Sequence, residues 1–161
     1  MEIPPIHIQI ACREDLEKIL QLQKQAFITE AESHGNYDIE PLQQTYASIL
    51  SDFSSYTFLK AVSNDIIIGS VKYSTLEDCV WIGKLIVHTD YRRRGLGKML
   101  LLEVEQLNPE AKKFQLFTAA SSTHNIRLYE KLGYRICREY EDQAQNGFLM
   151  VEMIKHTNRD D

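Results

Sequence analysis

The stretch Leu85-Ile86-Val87-His88-Thr89-Asp90-Tyr91-Arg92-Arg93-Arg94-Gly95-Leu96-Gly97-Lys98-Met99-Leu100 decides how this chain is read. It starts as an apolar, β-branched run and passes a polar turn. Three consecutive arginines and two glycines spaced one apart then lead into a helix-forming segment. That composition describes a strand delivering the chain to a bare helix N-terminus. The first turn of a helix carries backbone N–H groups without intrahelical acceptors, and its dipole favours anions. Glycine lets an anion come close because no Cβ stands in the way. Arginine adds long-range attraction and forked hydrogen bonds to phosphate oxygens. The expectation is a phosphate or pyrophosphate cradle. Surface turns also use glycine, but turn chemistry alone does not ask for three arginines between strand and helix. Two other phosphate loops are excluded. No P-loop string occurs in the chain, and the third glycine of a dinucleotide fingerprint would fall at Leu100.

The pattern Arg92-x-x-Gly95-x-Gly97 at a strand-to-helix turn resembles the acyl-CoA-binding motif of the GNAT N-acetyltransferase superfamily. Downstream, Asn125-Ile126-Arg127-Leu128-Tyr129-Glu130-Lys131-Leu132-Gly133-Tyr134 is similar to that family's C-terminal helix signature, a Leu-Tyr pair followed by a Gly-aromatic step. The motifs stand in the family's order, with room between them for one helix and one strand. They cover the C-terminal half of the chain. The N-terminal half agrees only in its order of elements.

A chain of 161 residues is expected to form one domain, spanning 1–155 with a flexible tail at 156–161. Its formal net charge of −5 argues against general nucleic-acid binding and makes Arg92-Arg93-Arg94 a local exception. Cys12, Cys79 and Cys137 show no metal-type spacing. They read as buried thiols in a reducing compartment, and no metal site is expected. Met1-Glu2-Ile3-Pro4-Pro5 lacks the basic and apolar regions of a signal peptide, and no apolar run reaches membrane-spanning length. A cytoplasmic location without membrane contact is the expectation.

In chain order, Ile6 to Ile10 alternates like a strand, with His7 on the polar face. Arg13 to Phe27 carries an amphipathic helical stripe that only Gln23 interrupts. Ile28 to Pro41 reads as a loop, and Leu42 to Phe53 as a second helix with Pro41 in its first turn. Strands at 57–62 and 66–73 flank the turn Ser63-Asn64-Asp65. Val80 to Val87 is the strand feeding the cradle, interrupted by Lys84. Gly95 to Leu107 is the cradle helix, ended by Asn108-Pro109. A short buried strand at 114–118 is followed by a helix from the Ser121-Ser122-Thr123 caps to Leu132, closed by Gly133. Strands at 134–140 and 148–154 complete the chain. This order is α+β or mixed α/β. It agrees with the fold the resemblance implies: a central, mostly antiparallel sheet with a parallel central pair, flanked by about four helices.

The resemblance implies that an acetyl group passes from acetyl-CoA to a primary amine, of a small molecule or a peptide, by direct attack. Arg92, Arg93, Arg94, Gly95, Leu96, Gly97 and Lys98 would hold the pyrophosphate, chiefly through backbone N–H groups. Leu85, Ile86 and Val87 would pair with the pantetheine amides, and a bulge in that strand would aim an N–H at the oxyanion. Tyr129 would donate a proton to the departing thiolate. A thiol titrates near ~8.5 and a tyrosine near ~10, so the phenol carries its proton at neutral pH. Asn125 lies one helical turn before Tyr129 and faces the same way. Where the family has asparagine and a small residue, this chain has Ser122 and Asn125, which are also expected at the cofactor.

The general base stays unassigned, because Val80-Trp81-Ile82-Gly83-Lys84 holds no carboxylate. Glu30, Glu32 and Glu77 lie within reach in sequence terms. The acidic residues of 28–41 and those flanking 143–147 point to a cationic acceptor. Two alternatives are a non-catalytic acyl-CoA sensor or assembly subunit, and an arginine-based phosphopeptide or nucleotide adaptor. A homodimer is left open.

Overall fold

A computed structural model of the chain describes residues 4–143 and 147–157. The strands are β1 (His7–Ile10), β2 (Thr57–Ser63), β3 (Ile66–Leu76), β4 (Cys79–Val87), β5 (Lys113–Ala119), β6 (Arg135–Asp142) and β7 (Phe148–His156). The helices are α1 (Leu16–His34), α2 (Glu40–Gln43), α3 (Tyr46–Phe53), α4 (Leu96–Leu107) and α5 (Thr123–Lys131). The described strands form one sheet in the order β1-β2-β3-β4-β5-β7-β6. Every neighbouring pair is antiparallel except β4 and β5, which run parallel at the centre. The expected fold class is the observed one.

Both faces of the sheet are covered where the site is built. Leu96, Leu100, Leu101 and Val104 of α4, with Tyr129 of α5, pack on Leu59, Val71, Val80 and Phe114. On the opposite face, Leu16, Ile19 and Leu20 of α1 and Ile49 of α3 pack on Phe58 and Ile86. A sheet buried on both faces needs apolar residues at consecutive positions, which the run around Ile86 supplies.

The helical region before β2 differs from the sequence expectation. The helix α1 does not stop at Phe27 but runs to His34, where Gly35 takes a left-handed φ of 65°. Ala31, buried at 1% exposure, anchors the added turns that the polar surroundings conceal. The expected single helix after Pro41 is two helices. Gln44 breaks them with an extended ψ of 134°, and the Thr45 side chain caps α3 by accepting from the Ser48 N–H. Pro41 sits in the first turn of the short α2.

Gln23, the polar interruption of the α1 stripe, is buried and uses its amide to join these pieces. It donates to the Pro41 carbonyl and to Gln44 Oε1, each at 2.9 Å. Gln44 in turn donates to Asp52 at 2.7 Å, and Asp52 pairs with Lys72 at 3.0 Å. Burial opposes ionisation of Asp52, but hydrogen bonds from Lys72 and Gln44 outweigh it and hold the carboxyl below its ordinary range. A depressed carboxylate contributes stability above its unfolded pKa, near ~3.9, and loses it as pH falls through the folded value. Asp52→Asn is expected to cost about 1 kcal/mol at pH 7. Urea midpoints of the two proteins should converge as the pH drops below the aspartate range.

The cysteines correct one expectation. Cys12 and Cys137 are exposed and Cys79 is half-buried. Cys12 precedes the first helical turn, and Cys137 lies where the β6–β7 register shifts on the sheet's edge strand, so neither reaches the core. At the C-terminal end, β7 continues to His156, which pairs with Lys113. The 144–146 part of the second acceptor loop and residues 158–161 of the tail lie outside the described residues.

Candidate active site

Between β4 and α4 the chain makes a short 3-10 turn, Thr89–Tyr91, in which His88 Nδ1 accepts from the Asp90 N–H at 3.1 Å. Arg93 then takes φ 65° and Gly95, the residue before α4, φ 77°. Left-handed residues at the entry to a helix are the backbone elements from which anion nests are built. Among the described residues, nothing accepts from the N–H groups of residues 93–98. The first bonded amide is that of Met99, which reaches the Gly95 carbonyl at 3.0 Å.

The side chains around this turn divide in role. Leu96 is buried in the core at 1% exposure and has only its amide to offer. Arg92 donates to the Ala26 carbonyl at 3.3 Å and ties the cradle to α1. The Arg94 guanidinium lies over the Tyr91 ring at 5.3 Å. Arg93 and Lys98 are exposed. A Cβ on Gly97 would come within 3.2 Å of Leu128 Cδ2 and 3.6 Å of Leu85 Cδ2, so glycine here permits a close approach.

The parallel pair opens next to this turn. Pairing of β4 with β5 stops at Ile82 and Leu116, although both strands run on. Beyond that point β4 stays with β3 while β5 stays with β7 as far as Ala119 and Met150. Among the described residues, the β5-facing backbone of Gly83 to Val87 is thereby left without a strand partner. The bulge that the resemblance implies for this strand has no mark in the residues themselves. The β3–β4 register shifts between Ser70 and Lys72, and Lys84 adopts φ 48°. This is a β-bulge, and Lys84 is the residue that bends. Of the three strand positions expected to meet the cofactor, Leu85 lines the opening, Val87 is half-buried, and the Ile86 side chain is in the α1-side core.

The opening is a cleft of about 180 Å³. Gly83, Lys84 and Leu85 form one wall and Phe117, Thr118 and Ala119 the other. Asn125 and Tyr129 of α5 close it from one side; Phe27 and Glu30 of α1 and Ile39, Glu40 and Pro41 of the following segment enclose the other. Phe148 and Met150 of β7 complete it, and Phe117 continues outward in a stack on Trp81 at 5.8 Å.

Tyr129 is buried at 5% exposure, with its ring edge-on to Tyr134 at 6.1 Å. Burial pushes its phenol well above the ordinary tyrosine value, and the negative charge of Glu30 adds to the effect. The hydroxyl is protonated at neutral pH. Ser122 precedes α5 but makes no side-chain cap; its hydroxyl donates instead to Glu30, joining α1 to α5 across the cleft.

Lys84 points at the segment that carries α2. Its Nζ lies 2.8 Å from Glu40 and 2.6 Å from Gln44 Oε1. Burial lowers its pKa, and the hydrogen bond and charge of Glu40 oppose that shift. The polar interruption of β4 was the available signal for this pair, but its partner lies 44 residues away in sequence. Of the acidic residues expected at the acceptor side, Glu30 lines the cleft, joined by Glu40; Glu32, Asp38, Glu139, Glu141 and Asp142 do not. Among the described residues there is no group of three His, Cys, Asp or Glu side chains able to hold a metal ion, and no helix long and apolar enough to cross a membrane.

Comparison with known proteins covers the same elements. YqkA of Bacillus subtilis (strain 168) is 30% identical over 118 residues, 73% of this chain and 34% of YqkA. The N-terminal acetyltransferase B complex catalytic subunit NAA20 of Arabidopsis thaliana is 36% identical over 80 residues, 46% of this chain and 44% of NAA20. The chain thus spans less than half the length of either relative. The PaiA N-acetyltransferase from Thermoplasma acidophilum, solved with coenzyme A, superposes with a TM-score of 0.79 at 19% identity, covering 95% of this chain and 99% of that one. The ribosomal-protein-S18-alanine N-acetyltransferase from Escherichia coli gives 0.79 at 18%, covering 98% and 97%. Those two likenesses establish the fold. A sequence profile matches residues 16–134, from the first turn of α1 through the cradle to the aromatic that follows α5; well over half of the chain carries the pattern, and the protein belongs to the acetyltransferase (GNAT) family.

Proposed function

We propose that the protein transfers the acetyl group of acetyl-CoA to a primary amine by direct attack, with Tyr129 as proton donor to the departing thiolate. The observation that carries this reading is the run of amides from Arg93 to Lys98, without an acceptor among the described residues, beside a splayed strand pair that opens onto a protonated, buried tyrosine. The residues fit the group. The amides and Gly97 would receive the diphosphate, the exposed backbone of Leu85 to Val87 would pair with the pantetheine arm, and Asn125 lies on the same face as Tyr129. Bound acetyl-CoA supplies an activated acyl carbon on a thiol leaving group. The chain orients it, places a donor near the bulge, and provides a proton.

Family membership supports acetyl transfer, and the amine acceptors in the names of NAA20 and the Escherichia coli enzyme support an N-acyltransferase. A cleft lined by Phe27, Ile39, Phe117 and Phe148 together with the Glu30 carboxylate suits a protonated amine on an apolar body. Thiol release from acetyl-CoA should be screened against peptide N-termini, amino acids, polyamines and aminoglycosides. Release with at least one cationic amine class is expected, together with calorimetric binding of CoA. Folded protein with no CoA affinity overturns the reading.

A further inference from the structure

We propose that Glu30, near the end of α1, is the carboxylate that binds the acceptor ammonium and takes its proton. The inference rests on the acetyl-transfer reading above and deepens it. A primary amine is almost entirely protonated at pH 7 and has no lone pair to attack with. The cradle strand offers no carboxylate from Val80 to Lys84. Among the described residues, two carboxylates line the cleft, Glu30 and Glu40.

They are not equivalent. Glu40 is 2.8 Å from the Lys84 ammonium, which stands where a substrate cation would otherwise pair with it. Glu30 is held from the other side of the cleft by the Ser122 hydroxyl, and it lies close enough to Tyr129 for its charge to be felt by the phenol. A carboxylate has about four lone-pair sites, of which the Ser122 hydroxyl occupies one while fixing the group's position. The Ser122 contact thus holds a base near the general acid. Among the described residues, the other titratable groups lining the cleft with Glu30 are Tyr129 from α5, Lys84 from β4 and Glu40 from α2.

The step balances. The ammonium gives one proton to a Glu30 oxygen, directly or through one water. The freed lone pair forms the nitrogen–carbon bond to the thioester carbonyl, and the carbon–sulfur bond breaks. The sulfur takes the Tyr129 proton, and the second nitrogen proton restores the phenol. Glu30 passes its proton to solvent. Ammonium and thioester become amide, thiol and one released proton.

The test is the pH profile of wild type and Glu30→Gln with two acceptors: a strongly basic primary amine, and a weakly basic amine already neutral at pH 7. For the basic amine, Glu30→Gln should lower kcat/KM about 100-fold or more at pH 7. The deficit should shrink as the pH approaches the amine's own pKa, and be nearly absent for the weakly basic amine. CoA binding, measured calorimetrically, should not change. A deficit equal at every pH and for both amines would make Glu30 a strap between α1 and α5 and overturn the proposal, as would an active Glu30→Gln. Wild type that binds CoA but acetylates neither amine overturns the acetyl-transfer reading itself, and the role of Glu30 with it.

Discussion

Tyr129→Phe is expected to lower kcat by about 10²–10⁴-fold while leaving CoA affinity nearly unchanged. The size follows from what the hydroxyl does. Thiolate departure without a proton donor leaves charge on sulfur in a cleft lined largely by apolar side chains. A phenol whose pKa is raised by burial and by Glu30 stays protonated across the working range, so it is available as a donor when each turnover begins. The fold should be little disturbed. Phenylalanine keeps the ring that meets Tyr134 edge-on and the packing of α5 on the sheet. The measurement is steady-state thiol release paired with CoA calorimetry. A non-catalytic acyl-CoA sensor would be indifferent to the change in both, so the same variant separates the two classes of function that the cradle alone permits.

How much of this was legible beforehand depended on whether the determining contacts were local. The strand-to-helix turn was legible because its requirements are local: glycine for a left-handed φ, glycine for close approach, and a helix start just behind them. The left-handed φ of Gly95 and the start of α4 at Leu96 follow directly. Asn125 and Tyr129 fell on one face because helical spacing guarantees it. The contacts that shape the acceptor side are long-range and carry little pattern. Lys84 looked like a break in an apolar strand. It is the bent residue of a bulge whose ammonium meets Glu40, and nothing near Lys84 names that partner. Gln23 was the same kind of exception, one polar residue in a helical stripe, and it proved to be buried and bonded to Gln44. Ser122 looked like a helix cap, but its hydroxyl turns to a carboxylate 92 residues earlier. In each case the misfit residue marked a contact with a distant segment. The extension of α1 past Phe27 carries little local pattern for a related reason: its added turns are held by the small side chain of Ala31 and by the contact of Glu30 with distant Ser122.

The two cradle glycines should fail in different ways, and the difference tests the cradle directly. Gly95 is left-handed, and a Cβ there would meet nothing within 4 Å. Gly95→Ala therefore introduces strain without obstruction, costing about 1–2 kcal/mol of stability, seen as a lower Tm. Gly97 lies within the first turn of α4, where alanine is the better helix former by about 1 kcal/mol. Its new Cβ would press on Leu128 Cδ2 at 3.2 Å, the far end of a side chain able to shift. The fold of Gly97→Ala should thus hold. What changes is the distance at which a diphosphate can meet the amides on either side. Losing one or two hydrogen bonds to a charged group is worth about 1.5–3 kcal/mol, so the Kd for CoA should rise about 10- to 100-fold. Activity should return at saturating acetyl-CoA, because Tyr129 and the acceptor cleft are untouched. Calorimetry showing Gly97→Ala with wild-type CoA affinity would mean that the ligand does not sit against this turn, and the chemistry assigned to the cleft beside it would lose its donor.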